Sequence, residues 1–364
     1  MISILLFCVL LIYILYIGSF IFGFHKIKTT HYLNKPKTRF SVVVPFRNEA
    51  SQLPKLLSSL RLLDYPSNLF EVIFVDDDSS DNWKIETTEH NFKVIKNNRT
   101  SFAPKKDAIN TAITISKHDW IITTDADCIV PLNWLKSIDA YIQKESKRMV
   151  VAGVSYLPEN GFLFAYQNLD FLSLQGATIG SFGIHKPFMC NGANFAYQKD
   201  FFIELNGFDG NLNWASGDDV FLLQKAIKHN LKAVGFCKDS LSVVKTIAQP
   251  SWETLFFQRV RWASKSSAYN DLFSKSVAII IFATNFLLVV GFVLGFFGFM
   301  PWLQLFTFLG IKFGIDMILI RQTSLFYKQN IKYVVWSSLL YPFFSSAVAI
   351  YTLFGTYKWK DRRF

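Results

Sequence analysis

Residues 123–130 read TTDADCIV, and they follow Trp120, Ile121 and Ile122. The run reads as a buried strand that ends in two carboxylates, Asp125 and Asp127, with one small residue between them. Taken alone, Asp-x-Asp is a weak signal, and a solvated turn accounts for it equally well. If the strand geometry persists, residues i and i+2 point to the same side, so the two carboxylates converge. Two hard oxygen ligands suit Mg²⁺ or Mn²⁺, which complete their shells with phosphate and water.

The flanking pattern gives that edge a context. RFSVVVPF (39–46) is a β-branched run closed by Pro45. Leu53, Leu56, Leu57, Leu60 and Leu63 recur at helical spacing, and Pro66 stops the helix. EVIFVDDDSSD (71–81) is a strand running into acids, and FKVIKN (92–97) is a third strand. Residues 105–116 form a helix with Ala108, Ala112 and Ile115 on one face, and DWIITTD (119–125) is the fourth strand. Strands alternating with helices predict a parallel sheet with helices on its faces. Ligands bind such sheets at the carboxyl ends of the strands. Both Asp76-Asp77-Asp78 and the Asp125/Asp127 pair fall there.

With 51% hydrophobic residues the chain can bury a sizeable core, but the apolar residues are unevenly spread. Residues 1–24 carry no charge, and 276–300, 302–320 (interrupted by Lys312 and Asp316) and 333–357 are further apolar spans. Each is long enough for a hydrocarbon core of about 30 Å. The first span lacks a basic leader and a small-residue cleavage site, which favours an anchor over a cleaved signal peptide. His25, Lys26, Lys28, Lys35, Lys37 and Arg39 follow it, which places its C-terminal side in the cytoplasm. The net charge of +11 does not indicate nucleic acid, because the basic residues are scattered or sit beside the apolar spans. Cys8, Cys128, Cys190 and Cys237 have no metal-ligand spacing and imply no disulfide framework.

VVVPFRNEA (42–50), VDDDSSD (75–81), TTDADCIV, SGDDVFL (216–222) and QRVRW (258–262) occur in the order found in family 2 glycosyltransferases. More narrowly, the chain resembles the membrane-embedded branch that includes cellulose, chitin, hyaluronan and poly-N-acetylglucosamine synthases. The resemblance implies an α/β fold of the GT-A type, a Rossmann-like mixed sheet flanked by transmembrane helices. It implies a transmembrane helix over 1–24 and a cytoplasmic transferase domain over 25–270, with an interfacial helix around 251–265. Over 271–364 it implies a membrane region of two or three transmembrane helices.

Residue by residue, the resemblance implies that Pro45 and Glu49 border the nucleotide base and that Asp76 and Asp77 are the acidic pair after the second strand, one of which accepts hydrogen bonds from uracil or ribose. Lys105 and Asn110 match a lysine-asparagine pair on the donor side, although Pro104 replaces the glycine often found before that lysine. Asp127 matches the principal metal ligand, and Asp125 a ribose or metal contact. CNGANFAYQKDFFIELNGFDG (190–210) resembles the acceptor-side segment, where Gly192, Ala193 and Asn194 let an acceptor approach the backbone. Asp219 matches the base that takes the acceptor proton, and Asp218 stands where glutamate is more usual. The competing reading makes these two acids a helix cap. Arg261 would pair with the diphosphate. Trp262 would stack on the acceptor sugar, with Gln258 bonding beside it.

The resemblance therefore implies a hexosyltransferase of the cell (inner) membrane, multi-pass. It would move a sugar with inversion from a nucleotide sugar, with UDP as the expected nucleotide, to a lipid or glycan acceptor, with Mg²⁺ or Mn²⁺. Too few spans are present to enclose a polymer tunnel, which favours glycolipid synthesis over a short processive polysaccharide synthase. A polyprenyl-phosphate glycosyltransferase would lack QRVRW, and a non-catalytic subunit would carry degenerate motifs. Three spans after a cytoplasmic domain would put the basic end KWKDRRF (358–364) outside, against the charge rule, while the loop with Arg321, Lys328 and Lys332 is basic too.

Overall fold

The computed structural model describes residues 2–29, 35–86, 89–265, 271–355, 358–359 and 362–363. In chain order the principal elements are α1 (Ile2–Lys26), β1 (Phe40–Phe46), α2 (Leu53–Arg61), β2 (Phe70–Asp76), β3 (Phe92–Lys96), α3 (Pro104–Ile115), β4 (Trp120–Thr123), α4 (Trp134–Glu145), β5 (Met149–Ala152), β6 (Val154–Tyr156) and α5 (Phe162–Gly183). They continue with β7 (Phe195–Gln198), α6 (Lys199–Glu204), α7 (Asp218–Asn230), β8 (Val234–Cys237), β9 (Val244–Thr246), α8 (Trp252–Ser264), α9 (Leu272–Phe296), α10 (Trp302–Tyr327) and α11 (Val334–Phe354). The chain divides into two compact units. One comprises Lys28–Leu157 and Met189–Ile247; the other comprises Met1–Ile27, Pro158–Phe188 and Ala248–Phe364.

The first unit is built on a seven-stranded sheet in the order β3-β2-β1-β4-β7-β5-β8. The four strands legible in the sequence form its parallel half, and β1 and β2 are buried along almost their whole length, as covered parallel strands are. β7 runs antiparallel to both β4 and β5, so the sheet is mixed. In register, Phe46 pairs with Asp76 and Val43 with Thr123, so β1, β2 and β4 finish at one edge. Helix α2 carries Pro54 in its first turn, where no amide is needed, and buries Leu53, Leu56, Leu57 and Leu60. β6 and β9 form a separate parallel pair.

The second unit is helical. Ser3–Lys26, Leu272–Phe296, Trp302–Tyr327 and Val334–Phe354 are long and apolar enough to cross a membrane. All three C-terminal stretches are helices, and the 302–320 span extends to Tyr327. Of the basic tail, only 358–359 and 362–363 lie among the described residues. The sequence placed 158–188 and 248–270 inside the soluble domain. By their contacts 158–188 and the described part of the second stretch group with the long helices instead.

The reason for α5 is visible at its glycines. A Cβ on Gly180 would overlap the Phe20 carbonyl, one on Gly183 the Gly23 carbonyl, and one on Gly23 the Gly180 carbonyl. Such close backbone approach is the small-residue packing that bundles apolar helices. α5 also buries Gln167, Asn168, Asp170 and Gln175, which keeps it from reading as an apolar span. The helix expected around 251–265 is present, capped by Ser251 in a reciprocal bond with Thr254. Its aromatic face is not left for lipid, because Phe256 and Phe257 pack on Tyr351, and Phe256 also on Phe344 of α11.

Gly180→Leu should destabilise the helical unit by about 3 kcal/mol or more, because the side chain must enter a backbone–backbone contact. Thermal unfolding of the purified protein in detergent checks this, and an unchanged midpoint would show that α1 and α5 do not pack this way.

Candidate active site

The candidate site lies at the carboxyl edge of β1, β2 and β4. Asp76 ends β2 and accepts from the Ser79 amide at 3.0 Å. Asp77 is buried and receives Asn97 Nδ2 at 2.7 Å, with Arg99 Nε 3.7 Å away. Asn97 also donates to the Pro104 carbonyl at 3.0 Å, so it ties Asp77 to the start of α3. Asp78 sits at φ 59°.

The loop after β1, which holds Glu49, is stitched to the loop after β2. The Asn48 amide donates to Ser79 Oγ at 3.0 Å, the Ser80 amide to Asn48 Oδ1 at 2.8 Å, and the Ala50 amide to Asp81 Oδ2 at 2.6 Å. Arg47 donates to the Asp77 carbonyl at 2.7 Å and to that of Asp78. The sequence quoted Arg47 within a motif without a role. Here its head holds the acidic turn that contains Asp77. Pro45 stays inside β1, opposite Val75.

Strand geometry does not persist to Asp127. β4 ends at Thr123, and the Cys128 amide returns to the Asp125 carbonyl at 3.1 Å. Asp125 and Asp127 are therefore carried by a turn, and the alternation argument that paired them along a strand does not hold. Burial, then Asp127 and Asp125, push the Cys128 thiol well up, so it stays protonated and is no nucleophile.

The centre of the site is Lys105 on α3. Its Nζ lies 2.7 Å from Asp125 Oδ1 and 3.3 Å from Asp218 Oδ2. Burial alone would lower this ammonium's pKa, but Asp125, Asp218 and Asp219 together hold it above the ordinary lysine range. The folded value is raised, so the associated stability is present below the ordinary lysine pKa. It is lost only as pH rises through the folded value. Asn110 lies five residues along the same helix, about 140° around it, so the two side chains face different sides.

Asp218 and Asp219 open α7. The N-cap is Gly217, at φ 87°, with no side-chain capping bond, so the acids occupy the first turn rather than the cap. Asp219 Oδ2 accepts the Gly192 amide at 2.9 Å, and its Oδ1 the Val220 amide at 2.8 Å. Gly192 must be small for a reason internal to the site. A Cβ there would lie 2.9 Å from Asp218 Oδ2 and 3.2 Å from Lys105 Nζ. Thr123 Oγ1 fixes the same residue by donating to the Gly192 carbonyl at 2.6 Å.

Asn194, expected to face an acceptor, is a core crosslink. Its Nδ2 donates to the carbonyls of Gly153 and Ser242, both at 2.8 Å, and its Oδ1 accepts Trp134 Nε1 at 2.9 Å. It is fully buried, and its donors are both used by protein. Gln258, Arg261 and Trp262 lie on α8 in the helical unit. There Gln258 Oε1 accepts from Arg259, and the Trp262 ring carries the Arg259 guanidinium 4.3 Å from its centroid.

Lys106 had no reading from sequence. It is completely buried, and its Nζ donates to the carbonyls of Asn211 and Trp214, both at 2.7 Å, and of Ser216 at 3.3 Å. It gathers the loop that delivers Asp218 and Asp219. Tyr197 was missed as well. Burial, then Asp218, keep its phenol well above the usual range, hence protonated beside the acids.

Among the described residues no group of three or more His, Cys, Asp or Glu could hold a metal alone. The donor set is two carboxylates in one turn, with one oxygen of Asp125 shared with Lys105. That set fits a hard divalent cation that takes most of its ligands from a diphosphate and water.

A mixed sheet with acids at its edge, a half-buried lysine and a helix-borne acid pair is an arrangement of the GT-A fold. Residues 41–205 match the family model described as Glycosyl transferase family 2. It is 25% identical over 193 residues, 51% of this chain, to "Glycosyltransferase AglE" of Haloferax volcanii. It is 24% identical over 176 residues, 37% of this chain, to "Beta-monoglucosyldiacylglycerol synthase" of Synechocystis sp.. The matches span 60% and 36% of those relatives' own lengths. Among solved structures, the fold is similar to the mannosyltransferase PcManGT from Pyrobaculum calidifontis, in complex with GDP-Man and Mn²⁺. The TM-score is 0.57 at 16% identity, covering 97% of this chain and 98% of that one.

Lys106→Met should leave three loop carbonyls without their buried donor and loosen the loop into α7. Turnover should fall about tenfold to a hundredfold with donor KM little changed, because placement of the acids is lost rather than the donor site. Steady-state kinetics separates the two, and a rise in KM alone would contradict this role.

Proposed function

We propose that the protein is a membrane-anchored glycosyltransferase that moves a hexose, with inversion, from a nucleotide sugar to a lipid or membrane-associated glycan. The observation that carries this reading is Lys105, which joins the strand-end acid Asp125 to the α7 acid Asp218. One cation thus connects the edge where a donor docks with the helix that offers a base. The glucosyldiacylglycerol relative supports a lipid acceptor. The four apolar helices support the membrane, and Lys26 at the end of α1 and Lys28 just beyond it support a cytoplasmic catalytic unit. The narrower likeness to membrane synthases rests on residues 258–262, where Arg261 and Trp262 would serve the diphosphate and acceptor.

In the reaction the acceptor oxygen bonds to the anomeric carbon as the bond from that carbon to the diphosphate breaks. The hydroxyl proton passes to a carboxylate. Asp218 is committed to Lys105. Asp219 is oriented by two backbone amides, and the base role is assigned to it. Asp76 and Asp77 accept from the nucleoside, beside Pro45 and Glu49. Lys105 exchanges part of its carboxylate contact for the departing diphosphate. Mg²⁺ or Mn²⁺, held by Asp127 and Asp125, would supply Lewis-acid neutralisation of that diphosphate.

The test is release of nucleoside diphosphate by the purified protein in lipid, over a panel of UDP- and GDP-sugars with Mg²⁺ or Mn²⁺. One donor should turn over, with UDP as the expected nucleotide. Asp219→Asn should lower kcat by about a hundredfold or more, and Asp127→Asn should weaken metal-dependent turnover. Nucleotide binding without turnover of any donor would sink the enzymatic reading.

A further inference from the structure

Within the helical unit, α1, α5, α9, α10 and α11 line a cavity of about 90 Å³, room for a few water-sized groups. Its polar wall is Tyr13, Tyr166, Asp170, Lys312, Asp316 and Ser337. Lys312 and Asp316 pair at 2.6 Å, and the Tyr13 hydroxyl donates to Asp316 at 2.6 Å. The Lys312 ammonium lies over the rings of Tyr13 and Tyr341, 5.4 and 5.1 Å from their centroids. Asp170 is held by Arg259 Nε at 2.6 Å. Ionisable groups deep in apolar helices are costly and mark sites more often than scaffolding.

Two hydroxyls in the wall are not accounted for by the fold. Tyr166 Oη and Ser337 Oγ are buried and have no hydrogen-bond partner among the described residues. Several other hydroxyls in these helices are satisfied locally: Thr284, Thr323 and Thr352 each return theirs to the carbonyl four residues earlier, while Ser346 of α11, outside this lining, is also unmatched. An unmatched buried hydroxyl is costly, and two at one cavity fit a polar guest.

The charges select the guest. Two carboxylates stand against one ammonium and one guanidinium, so the surroundings are neutral as a set. A phosphate would meet Asp170 and Asp316, and an ammonium would meet Lys312. A neutral hydroxyl can donate to the carboxylates and accept from the tyrosine and serine. Apart from Ser173, Ser338 and Tyr341, the rest of the lining, including Leu169, Leu309 and Phe313, is apolar and suits a hydrocarbon chain.

We propose that this cavity binds the hydroxyl-bearing head of an uncharged lipid, with Tyr166 and Ser337 as its hydrogen-bonding partners. This deepens the transferase reading by naming the class of acceptor, and as an acceptor site it rests on that reading.

The test is equilibrium binding of labelled dioctanoylglycerol to the full chain in phosphatidylcholine nanodiscs, without donor. The matching phosphatidic acid and the hydroxyl-methylated diglyceride are the comparison probes. Saturable binding of dioctanoylglycerol is expected, about fivefold weaker for the methylated probe and weaker still for phosphatidic acid. Tyr166→Phe and Ser337→Ala should each weaken it about fivefold, and together about twentyfold. Both remove an unpaired hydroxyl, so thermal stability should hold or rise. Undiminished binding by the double variant, equal binding of phosphatidic acid, or no saturable binding (a water-filled cavity only) would each overturn the proposal. Donor turnover is measured in parallel. Its absence with lipid binding intact would remove the transferase reading alone, and its presence with binding indifferent to both substitutions would remove this one alone.

Discussion

The Lys105 ammonium is the contact on which the site depends. The turn after β4 and the first turn of α7 both present carboxylates, and like charges brought together in a half-buried cleft repel. Lys105 lies between them, 2.7 Å from Asp125 and 3.3 Å from Asp218. The neighbouring details serve this placement. Gly192 leaves room for the pair, Thr123 fixes Gly192, and the Gly192 amide in turn orients Asp219. Lys106, one residue on and about 100° around the helix, reaches instead into the carbonyls of the loop before α7. Two adjacent lysines thus anchor the acid pair from its side chains and from its backbone.

Much of the sheet was legible because its strands are short β-branched runs punctuated by proline and acids. The positions of Asp76, Asp77 and Asp125 at strand ends followed from the same pattern. What was not legible is what depends on distant partners. Nothing local distinguishes Lys105 from Lys106, since only the return of the chain as α7 sends one to carboxylates and the other to carbonyls. Asn194 read as an acceptor contact because it sits among small residues, but Trp134, Gly153 and Ser242, from three other segments, consume its side chain. Asp125 and Asp127 were paired by a strand alternation that ends two residues earlier, at Thr123.

The helical unit shows the opposite failure. Its four apolar helices announced themselves by composition, whereas α5 did not. Gln167, Asn168, Asp170 and Gln175 interrupt its hydrophobicity, yet all are buried. Their partners are inside the unit: Gln167 bonds Gln249, Asp170 bonds Arg259, and Gln175 accepts from Tyr327. A helix whose polar groups are matched by its neighbours can sit among apolar helices without being apolar itself. The glycines at 176, 180 and 183 were the available signal, because their spacing of four and three puts them along one face.

The charge balance of the site bears on the metal. Along the acidic edge formed by Asp76, Asp77, Asp125, Asp127, Asp218 and Asp219, Lys105 is shared by Asp125 and Asp218, Arg99 stands 3.7 Å from Asp77, and Arg47 spends its head mainly on backbone carbonyls. A donor would add the charges of a diphosphate to this acidic edge. Lys105 cannot neutralise the added phosphates without loosening its hold on Asp125 or Asp218. A divalent cation entering with the donor would resolve that conflict, because the phosphates would bring ligands beyond the carboxylates of the turn, where one oxygen of Asp125 is taken by Lys105. On this logic metal and donor would bind as a unit, each raising the affinity of the other, without a complete metal cage from the described residues.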